Sequence, residues 1–240
     1  AVFTNLTPEH IESHGSFEKY KQAKGKLFAA LKPAGASAVN VDDPHAPYFL
    51  EFPAQEKWGY GIKNYELRIK SDGSVLENIL LKKYELSQIG STFIVAWKGN
   101  SYNFTTKLLG VFNVYNCLAA ISAALSQGIT IEVIQRALAG ANTIPGRMEI
   151  IRDEKRDVTI IVDYAHDPAA LENVYKTLQE IGGQDLKKRL IAVLGAVGGG
   201  RCGKDSKRLS HAATLCPGRR PAPWSASRRS MEYDSESRPA

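Results

Sequence analysis

Apolar and polar residues follow different periods along the 240 residues, and the changes of period divide the chain into elements. Phe17, Tyr20, Ala23, Leu27 and Leu31 recur at helical spacing and predict a helix over residues 17–31, with Ser16 as its N-cap. Lys19 stands where a capping box would carry Glu or Gln, and Lys24 falls mid-helix, one position from the apolar stripe. Residues 37–41 predict a buried strand that ends in the turn Asp42-Asp43-Pro44. From residue 48 to 104, short strand-like stretches alternate with turn signals such as Ser71-Asp72-Gly73 and Lys98-Gly99-Asn100. This reads as a meander or a set of hairpins. Residues 113–125 are alanine-rich and apolar on most faces, as a buried helix requires, and Gly128 stops it.

A further helix begins near Ile131 and is ended by Pro145-Gly146, so a domain boundary is expected over residues 143–146. Beyond it the pattern predicts a strand (158–162), a helix (168–181), a Gly-Gly turn and a second strand (189–194). That strand runs into Gly195-Ala196-Val197-Gly198-Gly199-Gly200. Strand, helix, strand and glycine-rich turn open a parallel α/β domain with a right-handed crossover, so the fold class is α/β. One such unit cannot cover both faces of a sheet, which predicts a truncated domain. From residue 209 to 240 Arg, Ser, Pro and Ala dominate without any period, the composition of a disordered or a frame-shifted, non-native ending. The expected division is therefore 1–144, 145–208 and 209–240.

The net charge of +6 would suit a nucleic-acid partner, but its location argues otherwise. Residues 201–240 hold nine Lys/Arg against four Asp/Glu, leaving 22 basic and 21 acidic residues in the rest. A body without a basic stripe lacks the footprint of phosphate-backbone binding, so no nucleic-acid partner is expected. No apolar run approaches the roughly 18 residues of a membrane span, and Ala1-Val2-Phe3 opens directly in a strand-like stretch without a signal peptide. Cys117, Cys202 and Cys216 have no metal-like spacing and fit a reducing, cytoplasmic setting.

The candidate chemistry lies in three ordered runs. The first is Thr4-Asn5-Leu6, Glu9-His10, His14-Gly15 and Tyr20-x-x-Ala23-Lys24-x-x-Leu27-Phe28. The second is Gly110-x-Phe112-Asn113-Val114-Tyr115-Asn116. The third is Gly146-Arg147-Met148-Glu149 followed by Asp163-Tyr164-Ala165-His166. Together they resemble the Mur ligases, ATP-dependent enzymes that add amino acids to the peptide of bacterial cell-wall precursors. The resemblance covers about residues 1–208. It implies the later part of a central ATPase domain followed by the start of a Rossmann-like C-terminal domain.

The resemblance implies a ligase that phosphorylates a carboxylate with ATP and lets an amine attack the acyl phosphate, using Mg²⁺ held by hard oxygen ligands and imidazole. His10 would bind Mg²⁺, and Lys24, carbamylated, would become an oxygen donor. Asn113 and Asn116, one turn apart, would contact adenine, whose edge pairs a donor with an acceptor. Arg147 would reach ATP phosphate and Asp163 the ribose and phosphates, with His166 beside them in Asp-Tyr-Ala-His-x-Pro. Lys207 would bind phosphate and Arg208 the incoming amino acid. Structural duties compete with each assignment: a loop histidine, a solvated lysine, helix capping by Asn113, and capping near Pro168 by Asp163, His166 or Asp167. His14 reads as structural, beside the turn at Gly15.

Asp-Tyr-Ala-His and Tyr-x-x-Ala-Lys favour the branch that adds the third residue, lysine or meso-diaminopimelate, to UDP-N-acetylmuramoyl-L-Ala-D-Glu. Folylpolyglutamate synthase and the ligase module of cyanophycin synthetase remain alternatives, as does a non-catalytic nucleotide-binding remnant that keeps Asn116, Arg147 and Asp163. The glycine-rich turn departs from the family pattern. Cys202-Gly203-Lys204 precede Asp205-Ser206-Lys207-Arg208, and Leu209 stands where proline is expected. No Gly-x-x-x-x-Gly-Lys-Ser/Thr occurs, so the chain reads as an internal fragment whose phosphate-cradling loop lies upstream and whose amino-acid-selecting motif lies downstream. Alone it is expected to lack ligase activity.

Overall fold

A computed structural model describes residues 1–8, 11–62, 76–182 and 190–193. The chain divides into two compact units, Ala1–Lys188 and Arg189–Ala240. Elements described in the first unit run in the order β1 (Val2–Phe3), α1 (Ile11–His14), α2 (Phe17–Ala29), β2 (Ala36–Asn40), α3 (Ala46–Leu50), β3 (Glu56–Gly61), β4 (Leu76–Ser87), β5 (Gly90–Trp97) and β6 (Asn100–Thr106). They continue through α4 (Val111–Leu125), α5 (Ile131–Gly140), β7 (Glu149–Asp153), β8 (Val158–Val162) and α6 (Pro168–Gly182).

Strands β1 to β6 form one sheet in chain order. Pairing is parallel from β1 to β4 and antiparallel from β4 to β6. Successive side chains of a strand face opposite sides, and Ala38 and Val39 of β2 accordingly enter different cores. On Ala38's side, Tyr60, Ile79, Phe93 and Phe104 meet Val114, Leu118 and Ile121 of α4. On Val39's side lie Phe3, Phe28, Phe49 and Leu50, so α2 and α3 cover the other face. Helices on both faces explain why β2 and β3 are buried almost throughout, whereas β6 alternates.

Several elements differ from the sequence reading. The meander holds for β4–β5–β6, but β2, β3 and β4 run parallel, and α3 replaces strand at residues 48–50. Local alternation reports burial, not the direction of the partner strand. The stripe of α2 is also shifted: Leu27 is 60 % exposed, while Gly25 and Phe28 are buried. A Cβ on Gly25 would collide with the hydroxyl of Tyr48, so a residue that apolar counting ignores is where α2 packs closest. Ser16 is the N-cap, as its position predicts, with Oγ accepting from Lys19 N at 3.1 Å.

After residue 145 the strand at 158–162 is found, but it pairs antiparallel with β7, which the pattern did not reveal. Among the described residues β8 has no parallel partner, and residues 190–193 carry no strand, which corrects that part of the expected strand at 189–194. An apolar run becomes a buried strand only where neighbours cover it, and Ile191 and Val193 are exposed. The helix at 168–181 forms as α6, with Asp167 Oδ1 accepting from Ala170 N at 2.8 Å. The tail expected over 209–240 lies outside the described residues.

Candidate functional site

Strands β1, β2 and β3 end on one edge of the sheet, where parallel α/β sheets place their ligands. The chain leaving β1 is held at this edge. Asn40 Nδ2 donates to Thr4 O (2.7 Å), Leu6 N to Asp43 Oδ2 (2.9 Å) and Tyr60 Oη to Phe3 O (2.8 Å). That segment leads to His10, which lies outside the described residues, and then to α2. Lys24 is exposed on α2 with Nζ 5.0 Å from the centroid of the Tyr20 ring. The His14 ring lies 5.1 Å from the same ring, next to Gly15 at φ 79°, in keeping with a structural duty. Among the described residues no group of three or more His, Cys, Asp or Glu could hold a metal ion. They form no cage for Mg²⁺ by themselves.

At the start of α4 the cap is Gly110, at φ 90° with no side-chain hydrogen bond, so Asn113 is not the N-cap. Asn113 is buried three residues into the helix and donates from Nδ2 to Leu109 O at 2.8 Å. Its Oδ1 accepts from Asn116 Nδ2 at 3.1 Å. Asn116 is exposed, and its Oδ1 accepts no hydrogen bond from a described residue. Asn113 thus orients Asn116, whose free acceptor fits the donor on an adenine edge.

The third run closes into one turn. Asp163 Oδ2 accepts from Met148 N (2.8 Å) and Oδ1 from Ala165 N (2.7 Å), while Tyr164 N donates to Gly146 O (2.8 Å). Glu149 accepts from Gly146 N at 2.8 Å. These bonds hold buried Met148 at φ 50° and bring Arg147 and His166 to one aromatic residue. The Arg147 guanidinium carbon lies 5.3 Å and the His166 ring 5.1 Å from the Tyr164 ring. His166 Nδ1 is 3.2 Å from Tyr164 O. Asp163 therefore does not cap α6, a duty that falls to Asp167. Lys207 and Arg208 lie outside the described residues. Tyr164, noted in the sequence only as a motif member, is the residue around which Arg147 and His166 gather.

The fold and these three runs define the class. The Mur ligase middle domain matches residues 1–124, and the Mur ligase glutamate ligase domain matches residues 146–216. The chain belongs to the Mur ligase family. It is similar to the UDP-N-acetylmuramoyl-L-alanyl-D-glutamate–2,6-diaminopimelate ligase of Geobacillus thermodenitrificans, at 38% identity over 215 residues, covering 87% of this chain and 39% of that protein. The ligase of the same name from Geobacillus kaustophilus is 40% identical over 205 residues, covering 82% of this chain and 38% of that one. A solved structure of a ligase with this name aligns at TM-score 0.60 and 29% identity, covering 90% of this chain and 42% of that chain. The chain thus spans about two fifths of the length of the relatives it matches.

Proposed function

We propose that this chain is the nucleotide-binding and arginine-bearing part of an ATP-dependent ligase of peptidoglycan precursor synthesis. The ligase joins meso-diaminopimelate or lysine to UDP-N-acetylmuramoyl-L-Ala-D-Glu; the relatives at 38% and 40% identity are named for 2,6-diaminopimelate, which favours the first. The observation that carries the reading is the Asn113–Asn116 pair, which leaves an oriented, exposed amide oxygen at the head of a buried helix. Residues 1–144 form the later part of the central domain and 145–208 the start of the C-terminal domain.

Bound ATP supplies the phosphoryl group that activates the substrate carboxylate as an acyl phosphate. Asn116 accepts a hydrogen bond from the adenine amino group, with Asn113 holding it in place. Arg147 offers its planar fork of donors to phosphate, and stacking on Tyr164 limits the directions it can take. Asp163 fixes the backbone that carries Arg147, and each of its oxygens retains an acceptor position for a ribose hydroxyl. His166 lines the same turn. By the family resemblance His10 and carbamylated Lys24 would hold Mg²⁺, which would offset phosphate charge, while Lys207 would contact phosphate and Arg208 the incoming amino acid. The reaction takes place in the cytosol, and no described helix is long and apolar enough to cross a membrane.

The ligase reading is separated from simple nucleotide binding by Lys24. With ¹³C-bicarbonate and Mg²⁺, the protein should show a carbamate carbon resonance that disappears in Lys24→Arg. A spectrum without that resonance, or one unchanged by the substitution, would contradict the metal–carbamate half of the proposal.

A further inference from the structure

We infer that Asp42 and Tyr115 are positioning residues that set the asparagine-bearing start of α4 against the ends of the parallel strands. This inference rests on the nucleotide-binding reading above. Asp42 follows β2, and its Oδ2 receives two donors: Tyr115 Oη at 2.7 Å and Ile62 N, just past β3, at 2.6 Å. Its own N–H donates to Asn40 Oδ1 at 3.1 Å, and Asn40 Nδ2 holds Thr4 O at 2.7 Å. One connected network therefore joins the exits of β1, β2 and β3 to α4.

The approach of β3 to this carboxylate is built into the sequence. A Cβ on Gly61 would stand 2.9 Å from Cγ and from both carboxylate oxygens of Asp42, so any side chain there would displace the carboxylate. A strand-end turn alone would need no more than local bonds such as Asp42 N to Asn40 Oδ1 and His45 N to Asp43 Oδ1. The Tyr115 bond reaches across 73 residues of chain, which a turn does not require. Burial, then the hydrogen bond to Asp42, push the Tyr115 pKa well above its ordinary value, so the hydroxyl stays protonated and donating.

The placement of Tyr115 gives the network its consequence. It lies between Asn113 and Asn116, and successive helical residues point about 100° apart. Buried Asn113 reaches Leu109 O, half-buried Tyr115 reaches Asp42, and Asn116 faces outward. The Tyr115 anchor therefore fixes the rotation of the first two turns of α4 about the helix axis. Val114 and Leu118 seat the helix in the core, and the Tyr115 bond adds the directional contact that ties the Asn116 amide to the strand ends. Charge-assisted O–H···O⁻ bonds are about twice as strong as neutral ones, and Asp42 is suited to this task.

The test uses the full chain and the variants Tyr115→Phe, Asp42→Ala and Asp42→Asn. ADP affinity is read by calorimetry, amide exchange across residues 111–118 by mass spectrometry, and Tm by scanning calorimetry. Tyr115→Phe and Asp42→Ala should each raise the ADP Kd about tenfold, the scale of one charge-assisted hydrogen bond. Asp42→Asn keeps an acceptor oxygen and should raise it no more than about threefold. Exchange in α4 should accelerate in Tyr115→Phe while Tm stays within about 3 °C of the parent. Unchanged ADP affinity and unchanged exchange in Tyr115→Phe would overturn the inference, as would losses that merely track a lowered Tm. If the parent chain does not bind ADP, the nucleotide reading fails. The exchange data then decide the anchor alone: faster exchange supports it and unchanged exchange overturns it.

Discussion

Asp163 accepts from two backbone N–H groups that lie on either side of the Arg147 turn, at Met148 and Ala165. Truncating it to Ala strands both donors, one on buried Met148, and should cost about 1–3 kcal/mol. Urea unfolding measures this, and Asp163→Asn, which keeps one acceptor, should lose less than Asp163→Ala. Cys117 shows a different residue-scale effect. Burial pushes its thiol up to about 11 against a weaker opposing bond from Thr106. The folded state then holds the proton after the unfolded chain has released it, so this part of the stability is intact below about pH 9 and is lost as pH rises towards 11. Between those values the unfolding free energy should fall more steeply in the parent than in Cys117→Ala, and parallel slopes would contradict the assignment. Asn113, Asn116, Arg147 and Asp163 stand out in the sequence as candidates because the runs that hold them resemble a family's motifs. Tyr115 and Asp42 do not, because a bond across 73 residues leaves no local pattern.

At the scale of elements, α2 shows where apolar counting fails. Helix propensity alone would favour Gly25→Ala by about 1 kcal/mol. The added Cβ, however, meets the Tyr48 hydroxyl and stands 3.0 Å from Phe52 Cζ, and such overpacking costs about 1–3 kcal/mol. Gly25→Ala should therefore destabilise the protein, and Tyr48→Phe in the same chain should restore part of the loss. A more stable Gly25→Ala protein would mean that α2 can move away from α3. The sheet makes a related point. β3 reads Glu56-Lys57-Trp58-Gly59-Tyr60-Gly61, without the Val/Ile run of a buried parallel strand, because its glycines sit where neighbours approach most closely. That composition hid its parallel pairing, whereas the turns of β4–β5–β6 revealed the hairpins.

On the scale of the whole molecule, the order of the three runs carried more information than any one of them. It placed the chain in its family, and the two domain matches fall in the same order over residues 1–124 and 146–216. The hairpin β7–β8 was only half legible. β8 has an apolar strand's composition, yet Val158, Ile160 and Val162 are 42–49 % exposed, and β7 (Glu149-Ile150-Ile151-Arg152-Asp153) sets two adjacent isoleucines among charged residues without a strand period. The central claim is that α4 presents an adenine-selective amide at the strand ends. The most direct measurement is a calorimetric titration of Mg·ATP and Mg·GTP into the parent chain and into Asn116→Ala. The account expects saturable ATP binding, weakened at least about tenfold for GTP and in Asn116→Ala, since an amide that reads a base edge discriminates on that scale. Equal affinity for the two nucleotides, indifference to the substitution, or no ATP binding would contradict it.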